Sequence, residues 1–382
     1  MDKPKKLILG LIPNNTCNLK CEYCYISQFP DFMKKNYEFK YSMEHIANCL
    51  SAERLGGPCL INLTGEGETM LQKGIVELCR RLLEDGHYIE FVTNLTVTKV
   101  VDEFMMLPPE LLAHMEFKIS FHYAELKRKG LMDKFFENVD KVQKSTASFT
   151  LELMPNDAIE DEIYDIIALC YEKVGAKCQI TIGRADFLSS KGLLTEHSYE
   201  EYVEKWSAFD STMFDLKLDL LGVKRKEFCY AGAWTLYVNL YTGEASACYE
   251  QPNKQNIFED PSKPINFCPV GKHCLLPYCI NGHAHISMGV IPELDTPTYA
   301  DIRNRKRENG TEWFSEEAYE FFNTKLSETN EEFTDAEKRL NYISWYVKLL
   351  GTAATHPDKV VRRIRHKLTK AANDRKWKEK KN

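Results

Sequence analysis

The chain has 382 residues, of which 43% are hydrophobic and 28% are charged, a composition typical of an ordinary globular protein. No apolar run approaches the roughly 20 residues that a membrane-spanning helix requires, and the short apolar stretch near the N-terminus lacks a signal-peptide cleavage site. The net charge of −6 is the sum of +8 on a basic tail, residues 356–382, and −14 on the rest of the chain. An acidic body argues against a general nucleic-acid-binding protein.

Thirteen cysteines in a chain without an export signal indicate metal binding rather than disulfide bonds, and a cytoplasmic location is expected. Five of them fall on apolar faces or at strand starts, where we expect small buried hydrophobic side chains. These five are Cys49, Cys59, Cys79, Cys170 and Cys178.

The first predicted strand, Leu7–Ile12, leads into the run TCNLKCEYCY, from Thr16 to Tyr25. Its cysteines, Cys17, Cys21 and Cys24, are spaced CxxxCxxC. Three thiolates on one short loop can bind three irons of a four-iron cluster and leave the fourth iron open for a substrate or cosubstrate. Zinc is the alternative, although zinc sites usually draw four ligands from two separated pairs.

Short apolar runs, each followed by a segment with helical spacing, repeat along the first half of the chain. After the first strand they are Cys59–Leu63, Tyr88–Thr93, Phe117–Phe121, Phe149–Met154 and Gln179–Ile182. Six such units predict an α/β fold with parallel strands and outer helices, either open or closed into a barrel. Functional sites in these folds lie at the carboxyl ends of the strands, which is where the cysteine run begins.

Polar and glycine-rich segments follow the later strands as well. After the second strand, LTGEGETML contains Gly65 and Gly67, which would let the backbone approach a ligand closely, and Glu68, which could bind an ammonium group. Glu66 could compete with Glu68 for that role. The ends of the remaining strands carry Thr93, Asn94, Ser120, His122, Glu152 and Arg184.

The CxxxCxxC run with Tyr23 before its last cysteine resembles the signature of the radical S-adenosylmethionine (SAM) superfamily. The resemblance implies a three-quarter β/α barrel of six units, a SAM-binding four-iron cluster, and a glycine-glycine-glutamate motif around Glu68 that holds the amino group of SAM. The usual proline after that glutamate is Thr69 here.

The same resemblance implies further SAM contacts. They are the turn Thr93-Asn94, the strand end Ser120-Phe121-His122, Glu152 facing the barrel interior, and Arg184 on the SAM carboxylate. For Ser120, Glu152 and Arg184 a structural hydrogen bond at the barrel rim is the alternative.

The composition changes after about Leu221, and residues 229–279 contain five cysteines. Alternating apolar residues around Thr242-Gly243 predict a hairpin that brings Cys229 and Cys248 together. This span resembles the SPASM and twitch extensions of radical SAM enzymes, which carry auxiliary iron–sulfur clusters. We therefore predict one auxiliary iron–sulfur cluster of four irons, and zinc is the alternative metal. The predicted ligands are Cys229, Cys248, Cys274 and Cys279, with Cys268 as spare or substitute.

These patterns predict three regions, namely a partial barrel over residues 1–225, an auxiliary domain over 226–298 and a helical extension over 299–382. The last segment places Val360, Val361, Ile364 and Leu368 opposite several arginines. Such a basic amphipathic helix can contact an anionic membrane surface or partner, and a solvated terminal helix is the alternative.

The predicted function is reductive cleavage of SAM to a 5′-deoxyadenosyl radical that abstracts hydrogen from a sugar, glycan or other small molecule, with the auxiliary cluster assisting oxidation. An external one-electron reductant of the flavodoxin or ferredoxin type is implied. The alternatives are a peptide-modifying maturase, a redox-neutral epimerase and, least favoured, a non-catalytic metal-binding scaffold.

Overall fold

The computed structural model describes residues 3–24, 26, 38–249, 251 and 254–355, together with 358, 361, 365, 368, 369, 371, 372, 374 and 375. Tyr25, the last residue of the cysteine run, lies outside the described residues, as do Val360 and Ile364 of the tail. No helix of the described residues combines the length and apolarity that crossing a bilayer requires.

The strands form one sheet of nine. They are β1 (Lys6–Ile12), β2 (Cys59–Gly65), β3 (Tyr88–Thr93), β4 (Met115–Phe121), β5 (Ser148–Leu153), β6 (Gln179–Ile180), β7 (Thr235–Asn239), β8 (Glu244–Ser246) and β9 (Lys254–Asn256). Their order across the sheet is β6-β5-β4-β3-β2-β1-β7-β8-β9.

Helices follow the strands of the first half, and six more lie among the described residues of the second half. They are α1 (Met43–Cys49), α2 (Ala52–Leu55), α3 (Ile75–Glu84), α4 (Thr98–Met105), α5 (Pro109–Leu112), α6 (Tyr123–Lys129), α7 (Met132–Gln143), α8 (Ile163–Val174), α9 (Tyr199–Trp206), α10 (Thr212–Leu220), α11 (Gly282–His285), α12 (Glu316–Asn323), α13 (Leu326–Thr329) and α14 (Asp335–Thr355).

The six predicted strand–helix units are confirmed, and β1 to β6 all pair in parallel. The strand residues that face the helices are apolar, whereas alternate residues, such as Glu116 and Lys118 on β4, are polar and face the other way. The helices cover the apolar face with apolar side chains of their own. Helix α3 shows the pattern, since Leu78, Cys79 and Leu82 on its inner face are fully buried. The sixth strand is shorter than predicted and keeps only two ladder residues.

The buried cysteines are also where the sequence predicts them. All five cysteines expected to act as apolar side chains are completely buried, and every cysteine of the chain is a free thiol. The fold therefore contains no disulfide, in line with the expectation from the cysteine count.

The hairpin predicted for the auxiliary region exists as β7 and β8, with Gly243 at φ +76° in its turn. Its first strand pairs in parallel with β1, so the hairpin extends the barrel sheet. The division of the chain at residues 225 and 298 stays a prediction, and the structure adds that the sheet is continuous across the first of these boundaries.

Residues 299–330 pack back against the barrel. The ring of Tyr88 on β3 stacks on Phe321 with 3.6 Å between the ring centroids. The indole of Trp313 donates to the carbonyl of Val174 at the end of α8 at 3.0 Å. Aromatic side chains of this segment, among them Trp313 and Phe321, are thus part of the core.

Candidate active site

The cysteine loop leaves the carboxyl end of β1 and is held in place by hydrogen bonds to α6 and within the loop itself. The backbone N–H of Lys20 donates to Glu125 on α6 at 2.9 Å, and the N–H of Leu19 donates to the sulfur of Cys17 at 3.4 Å. Burial raises the pKa of the Cys17 and Cys21 thiols to about 12. Thiols in this state become ligands only when a bound metal displaces their protons.

Gly67 brings the glycine-rich loop into contact with the cysteine loop. A Cβ atom at Gly67 would lie 2.1 Å from the carbonyl oxygen of Thr16, and the N–H of Glu68 donates to that same oxygen at 2.9 Å. The sequence suggested that this glycine lets a ligand approach the backbone. In the structure, the group that approaches it is the cysteine loop itself.

The carboxylate of Glu68 is held by three donors. Thr93 Oγ1 and the N–H of Met70 donate to Oε1 at 2.5 and 2.9 Å, and the N–H of Asn94 donates to Oε2 at 2.8 Å. The residue is 3% exposed. Burial raises its pKa, and the three hydrogen bonds act in the opposite direction. The carboxylate is therefore oriented before any ligand binds.

The turn after β3 has a conformation that non-glycine residues seldom adopt. Leu95 has φ +52° and is fully buried. Its N–H donates to Thr93 Oγ1 at 2.9 Å, and its carbonyl accepts from Asn138 at 2.9 Å. This turn aims Asn94 at the cysteine loop, where its amide donates to Asn18 Oδ1 at 2.9 Å and lies 3.9 Å from the sulfur of Cys17.

These groups converge on one cavity. It is lined by Cys17, Leu19, Cys21, Cys24, Gly65, Glu66, Gly67, Glu68, Thr69, Val92, Thr93, Asn94, Ser120 and His122. Tyr23 supports the wall, because its hydroxyl lies 2.7 Å from Nδ1 of His122. Burial lowers the pKa of His122 to about 4, so the imidazole is neutral at physiological pH.

Glu152 and Arg184 lie beyond the lining of this cavity. Glu152 is 3.2 Å from the ammonium of Lys118, and Arg184 contacts the carbonyl of Ile280 at 3.2 Å and Asp186 at 3.3 Å. Glu152 faces the barrel interior, as predicted. That either residue binds SAM stays a prediction.

The second group of cysteines surrounds Cys279. Besides burial, electrostatic interaction with Cys248, Cys229 and Cys274 raises the pKa of the Cys279 thiol well above its ordinary value. The β7–β8 hairpin brings Cys248 to this group, and Nδ1 of His285 on α11 lies 4.0 Å from its sulfur.

Cys268 sits apart from that group. Its sulfur accepts from the Asn341 amide at 3.8 Å, and it lines a different cavity, between the hairpin and α14. The structure thus brings together the four cysteines chosen from the sequence and leaves the fifth outside.

Sequence reasoning missed a buried charged network in the barrel interior. Arg303, fully buried, reaches Glu90 Oε1 at 3.2 Å, and Tyr299 also donates to Glu90. Nearby, burial and the charge of Glu90 raise the pKa of Glu116 to about 8. Lys217 on α10 extends the network. Isolated polar residues within apolar strands carry no motif, so only the fold could reveal that they meet.

Residues 11–170 match the model of the Radical SAM superfamily. The matched part of the chain contains the cysteine loop and strands β2 to β5. No curated protein shows significant sequence similarity to the chain.

Among solved structures, the chain is similar to Streptococcus suis SuiB bound to S-adenosylmethionine, with a TM-score of 0.47 and 14% identity over 68% of this chain and 64% of SuiB. It is also similar to anSMEcpe with bound AdoMet and the Cp18Cys peptide, with a TM-score of 0.48 and 17% identity over 67% of this chain and 78% of that protein. The chain thus spans less than two thirds of SuiB.

Proposed function

We propose that this radical SAM protein cleaves S-adenosylmethionine reductively and uses the resulting radical to abstract hydrogen from an unactivated carbon of a substrate in the barrel interior. The observation that carries the proposal is the single cavity onto which Cys17, Cys21, Cys24 and the pre-oriented carboxylate of Glu68 converge. The alternation of polar and apolar residues along each strand does not require these side chains to meet in one cavity, whereas a shared cofactor site does.

The residues present fit a four-iron cluster with one iron left without a protein ligand. Cys17, Cys21 and Cys24 would supply its three thiolates and line the same cavity. A structural zinc site usually takes four protein ligands, and this loop offers three cysteines. When bound and reduced, the cluster supplies one electron to SAM, which yields methionine and a 5′-deoxyadenosyl radical.

The protein's own contribution is binding, orientation and the exclusion of water. Glu68 would accept the ammonium of SAM, and the hydroxyl of Thr93 with the N–H of Asn94 keeps that carboxylate in place. Ser120 and the neutral ring of His122 form the wall beyond it. Because these groups are already fixed by the fold, little reorganisation is needed when the cofactor binds.

An auxiliary iron–sulfur cluster on Cys229, Cys248, Cys274 and Cys279 is the second part of the proposal. Cys279 interacts electrostatically with the other three cysteines, which supports one common site, and zinc is the alternative metal. A cluster there could accept a second electron from the substrate, which suits oxidation or dehydrogenation. Cys279 lines a small cavity together with Arg184 and Lys217.

The substrate class proposed from the sequence is a sugar, glycan or other small molecule, and peptide modification and redox-neutral epimerisation are the alternatives. An external flavodoxin- or ferredoxin-type protein would supply the first electron. Helix α14 exposes an apolar stripe, and the sequence that follows it is basic. We propose that this stripe and the basic tail contact an anionic membrane surface.

The test is anaerobic reconstitution of the full chain followed by assay of 5′-deoxyadenosine with deuterated sugars, small metabolites and peptides. Deuterium transfer from one class into 5′-deoxyadenosine identifies the substrate class and confirms hydrogen abstraction. Retention of deuterium in every product, with SAM cleaved only slowly, would count against the proposed substrates. Absence of any SAM cleavage by a protein with full iron content would overturn the proposal.

A further inference from the structure

We propose that a recess in the barrel interior binds the substrate through an anionic group, a carboxylate or a phosphate, with Lys217 as its main partner. The residues concerned are Lys118, Glu152, Arg184, Lys217 and His283, whose side chains interact electrostatically with one another, and we call the space among them the lumen recess. This inference deepens the function proposed above, on which it rests, by naming the chemical class that the substrate must carry.

The lumen recess lies between the two cysteine sites. Glu152 on β5 pairs in register with Ser120 on β4, which lines the cavity of the first cysteine site. On the opposite side, Lys217 and Arg184 line a small cavity together with Cys279 of the second cysteine site. A substrate here would be within reach of both sites, as radical abstraction followed by removal of a second electron requires.

The cations around the lumen recess are matched by carboxylates, with one exception. Arg303 pairs with Glu90 at 3.2 Å, Lys118 with Glu152 at 3.2 Å, and Arg184 with Asp186 at 3.3 Å. Lys217 forms no ion pair within the described part of the chain, and its ammonium donates to the neutral hydroxyl of Thr181. Among these four cations, Lys217 is therefore the one without a carboxylate within 4.0 Å in the described part of the chain.

The electrostatics of neighbouring groups agree with this excess of positive charge. Burial, together with Lys118, Arg184 and Arg303, lowers the pKa of Lys217 to about 7, although Glu152 acts in the opposite direction. Burial, the charge of Lys217 and those same three cations hold the pKa of His283 well below its ordinary value. The Nδ1 atom of His283 is buried and has no hydrogen-bond partner.

Lys217 is half-buried, so its ammonium has lost part of its hydration without gaining a carboxylate partner. A methionine would fill a similar volume without the cost of desolvating an ammonium. An incoming carboxylate or phosphate would remove that cost, because it supplies the missing charge and accepts hydrogen bonds from Lys217. The partner that this geometry favours is thus an anion, whereas a neutral sugar would leave the ammonium unpaired.

The experiment measures protection of Lys217 in the full-length, anaerobically reconstituted protein with SAM bound. The amines are acetylated with acetic anhydride, and labelling rates are read by peptide mass spectrometry with inorganic phosphate or succinate as the added probe. Lys99, whose side chain is 88% exposed, is the internal control. We expect a saturating probe to slow labelling of Lys217 by about tenfold or more and to leave Lys99 unchanged.

The two probes distinguish the two sources of the anion. Protection by phosphate alone indicates a phosphorylated substrate, protection by succinate alone indicates a carboxylate, and protection by both supports a general anion site. Protection by neither probe overturns the proposal. Equal protection by SAM without any probe also overturns it, because the lumen recess would then belong to the cofactor.

Calorimetric titration of the effective probe into variants provides the second measurement. Lys217→Met should weaken binding by about 30-fold or more, Lys217→Arg should retain most of it, and Lys99→Met should bind like the unmodified protein. If Lys217→Met does not fold, protection of the unmodified chain still decides. Since anion binding precedes turnover, its failure leaves the SAM assignment standing, and failure of SAM cleavage leaves an observed anion site standing.

Discussion

Glu68 and Glu66 are neighbouring carboxylates that the fold treats differently, and this difference can be measured. Glu68 is 3% exposed and fixed by Thr93, Met70 and Asn94, whereas Glu66 is half-buried at the cavity edge. Glu68→Gln should weaken SAM binding by about 30-fold or more, since it removes one charge from a desolvated ion pair. Calorimetric titration should show a much smaller loss for Glu66→Gln. The reverse order would mean that Glu66 holds the amino group.

Gly67 is the residue at which a single methyl group should disturb the cysteine loop. A Cβ 2.1 Å from the Thr16 carbonyl cannot be accommodated without moving that backbone. Since misplacement by about 1 Å can cost about 100-fold in rate, Gly67→Ala should lower the rate of SAM cleavage strongly. Gly192→Ala is the matched control, because its Cβ would meet only Ser190 Oγ at 3.6 Å. Normal SAM cleavage by Gly67→Ala would refute the role given to this contact.

Single residues were predictable where a motif surrounds them. Glu68 and Asn94 follow strands at recognisable turns, so their place at the site could be expected from the sequence. Lys217 and Arg303 stand in ordinary helical or loop sequence, far along the chain from the barrel strands they face. Their roles depend on tertiary packing, and no local pattern carries that information.

At the scale of the elements, the loop after β9 places Cys268 apart from the other four cysteines of the second half. Its sulfur contacts Asn341 on α14 and not the group around Cys279. Cys268→Ser should therefore retain full iron content, whereas Cys229→Ser, Cys248→Ser, Cys274→Ser and Cys279→Ser should each lose the auxiliary cluster or fold poorly. Mössbauer spectra in a background lacking the first cysteine site would isolate the signal. Zinc at this site after anaerobic purification would contradict the oxidative role.

Helix α14 presents an apolar stripe to solvent. Leu340, Ile343, Val347 and Leu350 recur at helical spacing on one side and are each 59–69% exposed. The other side packs on the auxiliary region, where His273 stacks on Trp345 with 4.0 Å between the ring centroids. With a tail of net charge +8 beyond it, the stripe should bind anionic vesicles, since each basic residue near such a surface contributes about 1 kcal/mol.

Co-sedimentation of the full chain with phosphatidylglycerol vesicles tests this contact. The double variant Ile343→Glu/Val347→Glu should lose most of the binding, and Met106→Glu, at a side chain 76% exposed on a different element, should keep it. Binding to neutral vesicles should be weak. Equal binding by the double variant would show that α14 is an ordinary solvated helix, and concentration-dependent self-association in place of lipid binding would identify a second copy as the partner.

The strands of the first half were predictable because apolar runs of four to seven residues alternate with helical spacing. The hairpin β7–β8 was predictable from its alternation and Gly243. Its parallel pairing with β1 was not, because pairing between segments more than 200 residues apart depends on tertiary packing that no local pattern encodes. The short β6 shows the opposite limit, since an apolar pattern alone does not determine how many residues join a ladder.

At the scale of the whole molecule, one continuous sheet connects the two cysteine sites. The first site lies beyond β1 and β2, the hairpin that carries Cys248 toward the second site is paired to β1, and the lumen recess lies between them. Under the proposed function, this arrangement would separate the site of SAM cleavage from the acceptor of a second electron. It also means that damage at one site need not abolish metal binding at the other.

The measurement that tests the central claim most directly compares iron content and SAM cleavage in the unmodified chain and in the triple variant Cys17→Ala/Cys21→Ala/Cys24→Ala. After anaerobic reconstitution, iron and acid-labile sulfide should fall from about eight to about four per chain if each site holds a four-iron cluster. Formation of 5′-deoxyadenosine should be abolished, while the absorbance of the auxiliary cluster persists. Continued cleavage of SAM by the triple variant would contradict the assignment of Cys17, Cys21 and Cys24 as the catalytic site.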